Sequence, residues 1–151
     1  MNVQDEIKAL KERIAELEEQ AKEEQEFPQV GDTYWRIDDK GSVDNNFYKD
    51  YYTDNHRQAI GNFFQTEQQA EFAVEKLKVE AELRKFSRPF KCGEISHYIF
   101  LNTDIECLDV AGLSYSQYQG TIYFESREKA NEAVESVGEE RIKKYIFGVE
   151  D

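Results

Sequence analysis

The first part of the chain carries apolar side chains at alternating spacings of four and three residues, with neither glycine nor proline between them. This spacing is typical of a coiled coil, whose apolar residues occupy the a and d positions of a heptad. The helix should end near Glu24 to Glu26, because Pro28 restricts the residue before it. The pattern predicts a dimerisation helix over residues 1–26 whose seam is formed by Val3, Ile7, Leu10, Ile14, Leu17 and Ala21.

Charged residues beside the seam favour a parallel pair of helices. Glu6 of one copy would face Lys11 of the other, and Arg13 would face Glu18, so both cross-pairs are attractive. Isoleucine at a with leucine at d also favours two parallel strands. The alternative is a single amphipathic helix that packs on its own domain, because three heptads are only marginally stable alone.

From Gly31 onward the pattern changes to short β-rich runs that occur twice. The run from Tyr34 to Val43 predicts two strands joined by an Asp-Lys-Gly turn, and a second strand-like run extends from Tyr98 to Ile105. Each half then has an aromatic pair, a polar residue, a threonine or serine, and the pattern A-x-x-A-V-E. The two halves are related by an offset of 60 residues.

The threonine and serine of this repeat, Thr66 and Ser126, are expected to cap the following helices. The first helix is predicted from Glu67 to about Phe86; the second breaks at Gly138 and restarts as a short helix. We therefore predict an α+β protein in which the coiled-coil helix is followed by two tandem ββ(β)α modules, 27–90 and 91–151. Each module would have a small antiparallel sheet covered by a helix. The alternative is a chance likeness between two unrelated strand–helix corners.

The chain is strongly acidic, with 32 acidic and 19 basic residues and a formal charge of −13. Direct binding to nucleic acid or to an anionic membrane is not expected, because lysine and arginine provide most of the affinity for phosphates. Acidity can also serve solubility alone. The functional interpretation is an acidic surface that a protein partner with a basic surface recognises.

The N-terminal residues resemble no signal peptide, and no run is long and apolar enough to span a bilayer. We expect the protein in the cytoplasm of a host cell. Cys92 and Cys107 would then lie in a reducing compartment, where a structural disulfide is not expected.

The sequence contains few groups that could perform catalysis. His56 falls in a predicted polar loop and His97 at the start of a predicted strand, and neither has a catalytic partner at a recognisable spacing. Cys92 and Cys107 lack the spacing of zinc ligands, and no glycine-rich phosphate-binding loop is present. We expect no catalytic residue, no metal, no cofactor and no enzymatic activity.

Two groups of residues are candidates for partner binding. The stretch 44–55 interleaves aromatic side chains, which provide rigid contact area, with carboxylates that could orient a basic surface. The alternative is that its aromatic residues seal the edge of the sheet. The second group is a stripe of glutamates at helical spacing, which could equally be a solvated helix face. The candidates are Asp44, Phe47, Tyr48, Asp50, Tyr51, Tyr52, Asp54, Glu125, Glu128, Glu132 and Glu135.

Most of residues 31–151 resembles small uncharacterised phage and prophage proteins of Gram-positive bacteria. The likeness is carried by the motif Gly31-Asp32-Thr33-Tyr34-Trp35, the run from Gly61 to Thr66 that leads into a helix, and the ending from Gly120 to Phe147. The resemblance implies a phage origin and carries no catalytic motif. A small, acidic, dimeric phage protein would fit our first hypothesis, a phage-encoded inhibitor of a host defence nucleoprotein complex, in the manner of an anti-CRISPR protein that blocks a Cas9-type nuclease as a DNA mimic. A phage accessory or assembly adaptor that acts through protein–protein contacts is the alternative.

Overall fold

The structure, a computed structural model, describes residues 2–23 and 26–150. The described residues form an α+β protein with five helices and two small antiparallel sheets of two strands each. In chain order the elements are α1 (Val3–Glu23), β1 (Thr33–Ile37), β2 (Val43–Phe47), α2 (Tyr52–Ala59), α3 (Glu67–Arg84), β3 (Ser96–Asn102), β4 (Cys107–Leu113), α4 (Arg127–Val137) and α5 (Glu139–Tyr145). The chain divides into two compact units, Met1–Ala70 and Glu71–Asp151.

The predicted N-terminal helix is present as α1. Its first turn is capped by Asn2, whose side-chain oxygen accepts a hydrogen bond from the Asp5 N–H at 2.9 Å. Two acidic residues follow in that turn, where they interact favourably with the helix dipole. The predicted end near Glu24 to Glu26 includes positions that lie outside the described residues.

In the first unit, β1 and β2 form a hairpin with Thr33 opposite Phe47 and Ile37 opposite Val43. Asp38 closes the predicted turn because its carboxylate accepts hydrogen bonds from the backbone of Ser42 and Lys40, both at 2.9 Å. These hydrogen bonds hold the pKa of Asp38 below its usual value.

The core of the first unit is built on an aromatic stack. Tyr34 is fully buried and stacks on Phe63 with ring centroids 4.1 Å apart. The rings of Phe27 and Tyr48 lie 5.5 and 6.0 Å from the Phe63 ring. Buried aromatic pairs of this kind stabilise a small domain beyond the area they remove from water.

The second unit has a longer hairpin, with Ser96 opposite Leu113 and Asn102 opposite Cys107. Helices α4 and α5 meet at Gly138, as the sequence predicts; its φ of +105° is accessible to glycine at little cost. The core is one contiguous apolar cluster, formed by Val79, Leu83, Val110, Phe124, Ala130, Ala133, Val137 and Ile142.

The same local geometry occurs once in each unit. In the first, Trp35 and Phe64 exchange two backbone hydrogen bonds of 2.8 Å; in the second, His97 and Phe124 do so at 2.9 and 2.8 Å. Thr66 and Ser126 cap the next helices, as predicted, by accepting from the backbone N–H three residues on. Ala70 and Ala130, both fully buried, follow at the predicted offset of 60 residues.

One local prediction is wrong. The stretch 44–55 is not one loop, because β2 extends to Phe47 and α2 begins at Tyr52, which places His56 on a helix. The run from Tyr98 to Ile105, predicted to repeat the order of strand and turn, forms β3 as far as Asn102. There the Asn102 side chain accepts from the Asp104 N–H at 3.1 Å and starts a turn that continues to Glu106.

Candidate functional site

The seam of α1 is an exposed apolar stripe. Its five large side chains, Val3, Ile7, Leu10, Ile14 and Leu17, are between 45% and 70% exposed, and Ala21 is exposed as well. A row of apolar residues at this spacing is stabilised when another apolar surface covers it. Among the described α1 side chains the one ion pair joins Arg13 and Glu16 at 3.3 Å, so Glu6, Lys11 and Glu18 have no ion-pair partner within the described chain.

Three aromatic candidates of the stretch 44–55, Phe47, Tyr51 and Tyr52, lie on the surface. Phe47 is 63% exposed, Tyr51 64% and Tyr52 76%. These exposures favour contact with a partner over the alternative, that the rings seal the sheet edge, because most of each side chain is uncovered. Tyr52 instead lies against the imidazole of His56, with ring centroids 3.8 Å apart.

Three of the polar candidates in this stretch, Asp44, Tyr48 and Asp50, are engaged in local contacts. Asp44 forms an ion pair with Arg36 on the neighbouring strand at 2.9 Å. The Tyr48 hydroxyl donates to Asp50 at 3.0 Å. Partial burial and the Asp50 carboxylate together raise the pKa of Tyr48.

Asp54 is buried rather than presented to a partner. One carboxylate oxygen accepts from the Tyr34 hydroxyl at 2.5 Å, and the other accepts from the backbone N–H groups of Lys49 at 3.0 Å and Tyr51 at 3.2 Å. Burial raises the pKa of Asp54, but these hydrogen bonds and the charge of Arg57 outweigh it and lower that pKa below its ordinary value. Asp54 is thus a structural residue that fixes the start of α2.

The Tyr34 hydroxyl also connects Asp54 to a cation. The Arg57 guanidinium donates to that hydroxyl at 2.8 Å. Burial and the hydrogen bond to Asp54 raise the pKa of Tyr34, so its proton stays in place to donate. Asp54, Tyr34 and Arg57 therefore form a hydrogen-bonded chain that joins β1 to α2.

A groove of about 460 Å³ lies between β2 and α2. Two cations border it, and neither Lys49 nor Arg57 forms a salt bridge with any described residue. We call this feature the β2–α2 groove; it is lined by Thr33, Asn45, Asn46, Phe47, Lys49, Tyr51, Thr53, Asp54 and Arg57. The sequence-based candidates missed Thr33, Asn45, Asn46, Lys49, Thr53 and Arg57, because nothing in the pattern indicated α2.

The glutamate candidates form an exposed stripe in the second unit. Glu128, Glu132 and Glu135 lie on α4, and Glu125 precedes the capping Ser126. All four are exposed. Only Glu132 has a described ion pair, with Lys129 at 3.5 Å. We call these four residues the acidic stripe.

The groups with potential for catalysis are dispersed over the described residues. Cys92 and Cys107 are free thiols on the surface. His97 lies on β3, and its buried Nδ1 has no hydrogen-bond partner among the described residues. Within residues 2–23 and 26–150, no three His, Cys, Asp or Glu side chains come close enough to hold a metal ion together.

Comparisons of the chain with protein-family models, with curated proteins and with solved structures find no match. In the part of the chain that the structure describes, none of the helices is both long enough and apolar enough to span a bilayer. Three surfaces of the described residues are candidates for contact with a partner: the α1 seam, the β2–α2 groove and the acidic stripe.

Proposed function

We propose that the protein is a non-enzymatic homodimer that binds a basic, nucleic-acid-binding surface of a partner protein and blocks it. The observation that carries this proposal is the acidic stripe, in which Glu125, Glu128 and Glu135 are exposed and have no described counter-charge. Carboxylates at intervals of three and four residues along a helix present a row of negative charge, as a nucleic-acid backbone does.

The α1 seam supports the dimeric part of the proposal. A second copy would cover the exposed row from Val3 to Leu17, and it would supply the attractive partners that Glu6, Lys11 and Glu18 lack within one chain. The dimer would carry two acidic stripes. A partner with two basic surfaces would bind the dimer more tightly than one stripe alone, because the second contact forms within the same complex.

The tandem ββ(β)α organisation, with modules 27–90 and 91–151, belongs to the same proposal. The hydrogen-bonded bridge and the helix cap that occur once in each unit support it. In this organisation the first module carries exposed aromatic residues and the second carries the acidic stripe.

The resemblance to phage proteins makes a host defence complex the target to test first, with a guide-loaded Cas9-type nuclease as the leading choice. The protein would be titrated against that nuclease, and binding of target DNA would be followed by electrophoretic mobility shift at about 0.05 M and about 0.5 M salt. We expect the protein to bind the nuclease and exclude DNA at low salt, and to lose affinity as salt rises. Absence of binding at low salt would show that a Cas9-type nuclease is not the target.

A charge variant tests whether the acidic stripe makes the contact. Changing all four stripe glutamates to glutamine should weaken binding about tenfold or more, since each exposed charge pair contributes roughly 0.2–1 kcal/mol. The control removes the same number of exposed carboxylates outside the stripe, none of them in a described ion pair: Asp39→Asn, Glu67→Gln, Glu71→Gln and Asp104→Asn. Equal losses for the two variants would mean that net charge, and not the stripe, drives association.

The exposed aromatic residues of the first unit favour a second candidate function, an assembly adaptor that acts through protein–protein contacts. Phe47, Tyr51 and Tyr52 provide the rigid area that interfaces use, and they lie outside the acidic stripe. Changing Tyr51 and Tyr52 to serine should leave a charge-driven contact intact and abolish an adaptor contact. The two functions therefore predict opposite results for this one variant.

A further inference from the structure

The outer edge of β2 carries backbone groups that no described residue satisfies. Trp35 exchanges its two backbone hydrogen bonds with Phe64, so its N–H and C=O point away from β2. In an antiparallel ladder, residues that face the partner alternate with residues that face outward. Asn45 is opposite Trp35, and its N–H and C=O therefore point away from β1, as do those of Val43 and Phe47.

The corresponding edge in the second unit is protected. His97 exchanges its backbone hydrogen bonds with Phe124, so the outward-facing residues of β4 are Leu108, Val110 and Gly112. The Leu108 N–H donates to a Glu139 carboxylate oxygen at 3.2 Å. The Arg127 guanidinium donates to the Val110 C=O at 2.8 Å.

Proteins usually block exposed strand edges, because an open edge pairs with other chains. This chain blocks the edge of β4 with side chains of α4 and α5. It places no such group on β2: the described hydrogen bonds include none to the outward-facing N–H or C=O of Asn45 or Phe47. Asn45 itself is exposed, and Phe47 is 63% exposed.

The β2–α2 groove borders this open edge. Three consecutive β2 residues, 45 to 47, line it together with Thr33, which is opposite Phe47 on β1, so the groove adjoins the C-terminal half of β2. Lys49 and Arg57 supply positive charge outside the described salt bridges, in a chain of net charge −13. The one carboxylate in the groove lining, Asp54, is buried, and both of its oxygens are occupied by hydrogen bonds. The chemistry of the groove therefore complements an extended segment that carries a carboxylate.

We propose that the outer edge of β2 and the β2–α2 groove bind an extended peptide segment of a partner protein, which adds to the sheet as a third strand and places an acidic side chain beside Lys49 and Arg57. Backbone hydrogen bonds from Asn45 and Phe47 provide affinity, and the groove provides selectivity for the side chains. The proposal does not depend on the acidic stripe, which lies in the other unit.

Selection of random linear peptides of about twelve residues against the full-length protein tests this binding mode. We expect enriched peptides that are rich in β-forming residues and contain aspartate or glutamate. Enriched peptides without an acidic residue, or no enrichment, would overturn the proposal. Affinities would be measured by fluorescence polarisation with a labelled copy of the most enriched peptide.

Asn45→Pro is the decisive variant because it removes an outward-facing N–H without breaking a bond to β1. Proline is tolerated where an edge-strand N–H faces solvent, so circular dichroism and the melting temperature should be little changed. Peptide affinity should fall about tenfold or more, since an unmade backbone hydrogen bond leaves a buried polar group unsatisfied. Unchanged affinity in a folded variant would overturn the proposal.

Lys49→Gln supplies a second test that does not alter the backbone. Affinity for the acidic peptide should fall about threefold, as expected for one exposed charge pair, and this difference should disappear at high salt. Lys40→Gln is the matched control, because Lys40 is an exposed lysine on the β1–β2 turn and does not line the groove. Equal losses for the two variants would refute a role for the groove.

Amide hydrogen exchange distinguishes strand addition from other contacts. In the free protein the amides of Asp44 and Asn46 should be protected by β1, and those of Asn45 and Phe47 should exchange fast. Bound peptide should slow exchange at Asn45 and Phe47. A second copy of this chain could occupy the edge instead. If a variant with Leu10→Asp and Ile14→Asp in the α1 seam still dimerises, and Asn45→Pro then makes it monomeric, a second copy binds the edge and the peptide proposal is wrong.

Discussion

At the scale of single residues, the Tyr34 hydroxyl is the group on which the first unit depends most directly. It donates to the buried Asp54 carboxylate and accepts from Arg57, so its removal leaves both charged groups short of a partner. Tyr34→Phe keeps the stacked ring on Phe63 and deletes only this oxygen. We expect the free energy of unfolding to fall by about 1–3 kcal/mol, the cost of leaving a buried charged group short of one hydrogen bond.

Urea unfolding monitored by far-ultraviolet circular dichroism measures this change. Tyr48→Phe is the matched control, since it deletes a tyrosine hydroxyl whose hydrogen bonds to Asp50 and Asn55 are solvent-exposed. Water replaces an exposed partner, and the control should lose less stability than Tyr34→Phe. Equal losses would show that the chain from Asp54 to Arg57 does not stabilise the unit.

The role of Asp54 could not be predicted from the sequence. Its carboxylate looks like one of several in an acidic, aromatic stretch, and its main partner, Tyr34, is 20 positions away. Burial of the carboxylate follows from the fold, because β1 places the Tyr34 hydroxyl beside the first turn of α2. The exposure of Phe47, Tyr51 and Tyr52 is likewise set by where β2 ends and α2 begins.

At the scale of elements, α1 offers the most direct test of self-association. We predict that Leu10→Asp with Ile14→Asp converts the protein from dimer to monomer in sedimentation equilibrium, because charges at the d and a positions cannot be buried in a seam. Far-ultraviolet circular dichroism should report strands that remain intact, since neither residue belongs to a sheet. α1 itself should lose helicity when it has no partner.

The control for this pair introduces the same charge on the same helix, and its loss of helix propensity is at least as large. Ala9→Asp with Ala15→Asp introduces the same two aspartates at exposed c and b positions of α1. This variant should remain dimeric. An unchanged mass for the seam variant would contradict the coiled coil and would favour a lone amphipathic helix instead.

Elements with a strong sequence signal were predicted well, and those without one were not. The prediction placed α1, α3, α4 and α5 from apolar periodicity, from the caps Thr66 and Ser126, and from the break at Gly138. Helix α2 has no apolar stripe, and its N-terminal turn is closed by the Asp54 side chain through the Tyr51 N–H. The protected edge of β4 and the open edge of β2 depend on side chains that are distant in sequence, such as Glu139 and Leu108.

At the scale of the whole molecule, the sequence fixes the net charge but not its distribution over the surface. The fold leaves the acidic stripe exposed and removes Asp54 from the surface, and it places Lys49 and Arg57 together in an acidic chain. The long-range electrostatic interaction is therefore repulsive between two copies of the chain and attractive between the chain and a basic partner. Like charge opposes the first, whereas unlike charge favours the second.

This difference predicts opposite responses to salt. Raising sodium chloride from about 0.05 M to about 0.5 M shortens the screening length and so weakens long-range interactions. The dimer should tighten by about threefold to tenfold, because repulsion between two chains of charge −13 outweighs the few attractive pairs along the seam. Binding to a basic partner should weaken over the same range.

Sedimentation equilibrium gives the dimer constant, and fluorescence polarisation with the partner gives the second constant in the same buffers. Dimerisation that weakens with salt would mean that the attractive pairs beside the seam, such as Glu6 with Lys11 of the other copy, stabilise the dimer by more than repulsion between the two net charges destabilises it. Partner binding that is insensitive to salt would assign that contact to the exposed aromatic residues of the first unit rather than to the acidic stripe. The two measurements thus separate what holds the dimer together from what it binds.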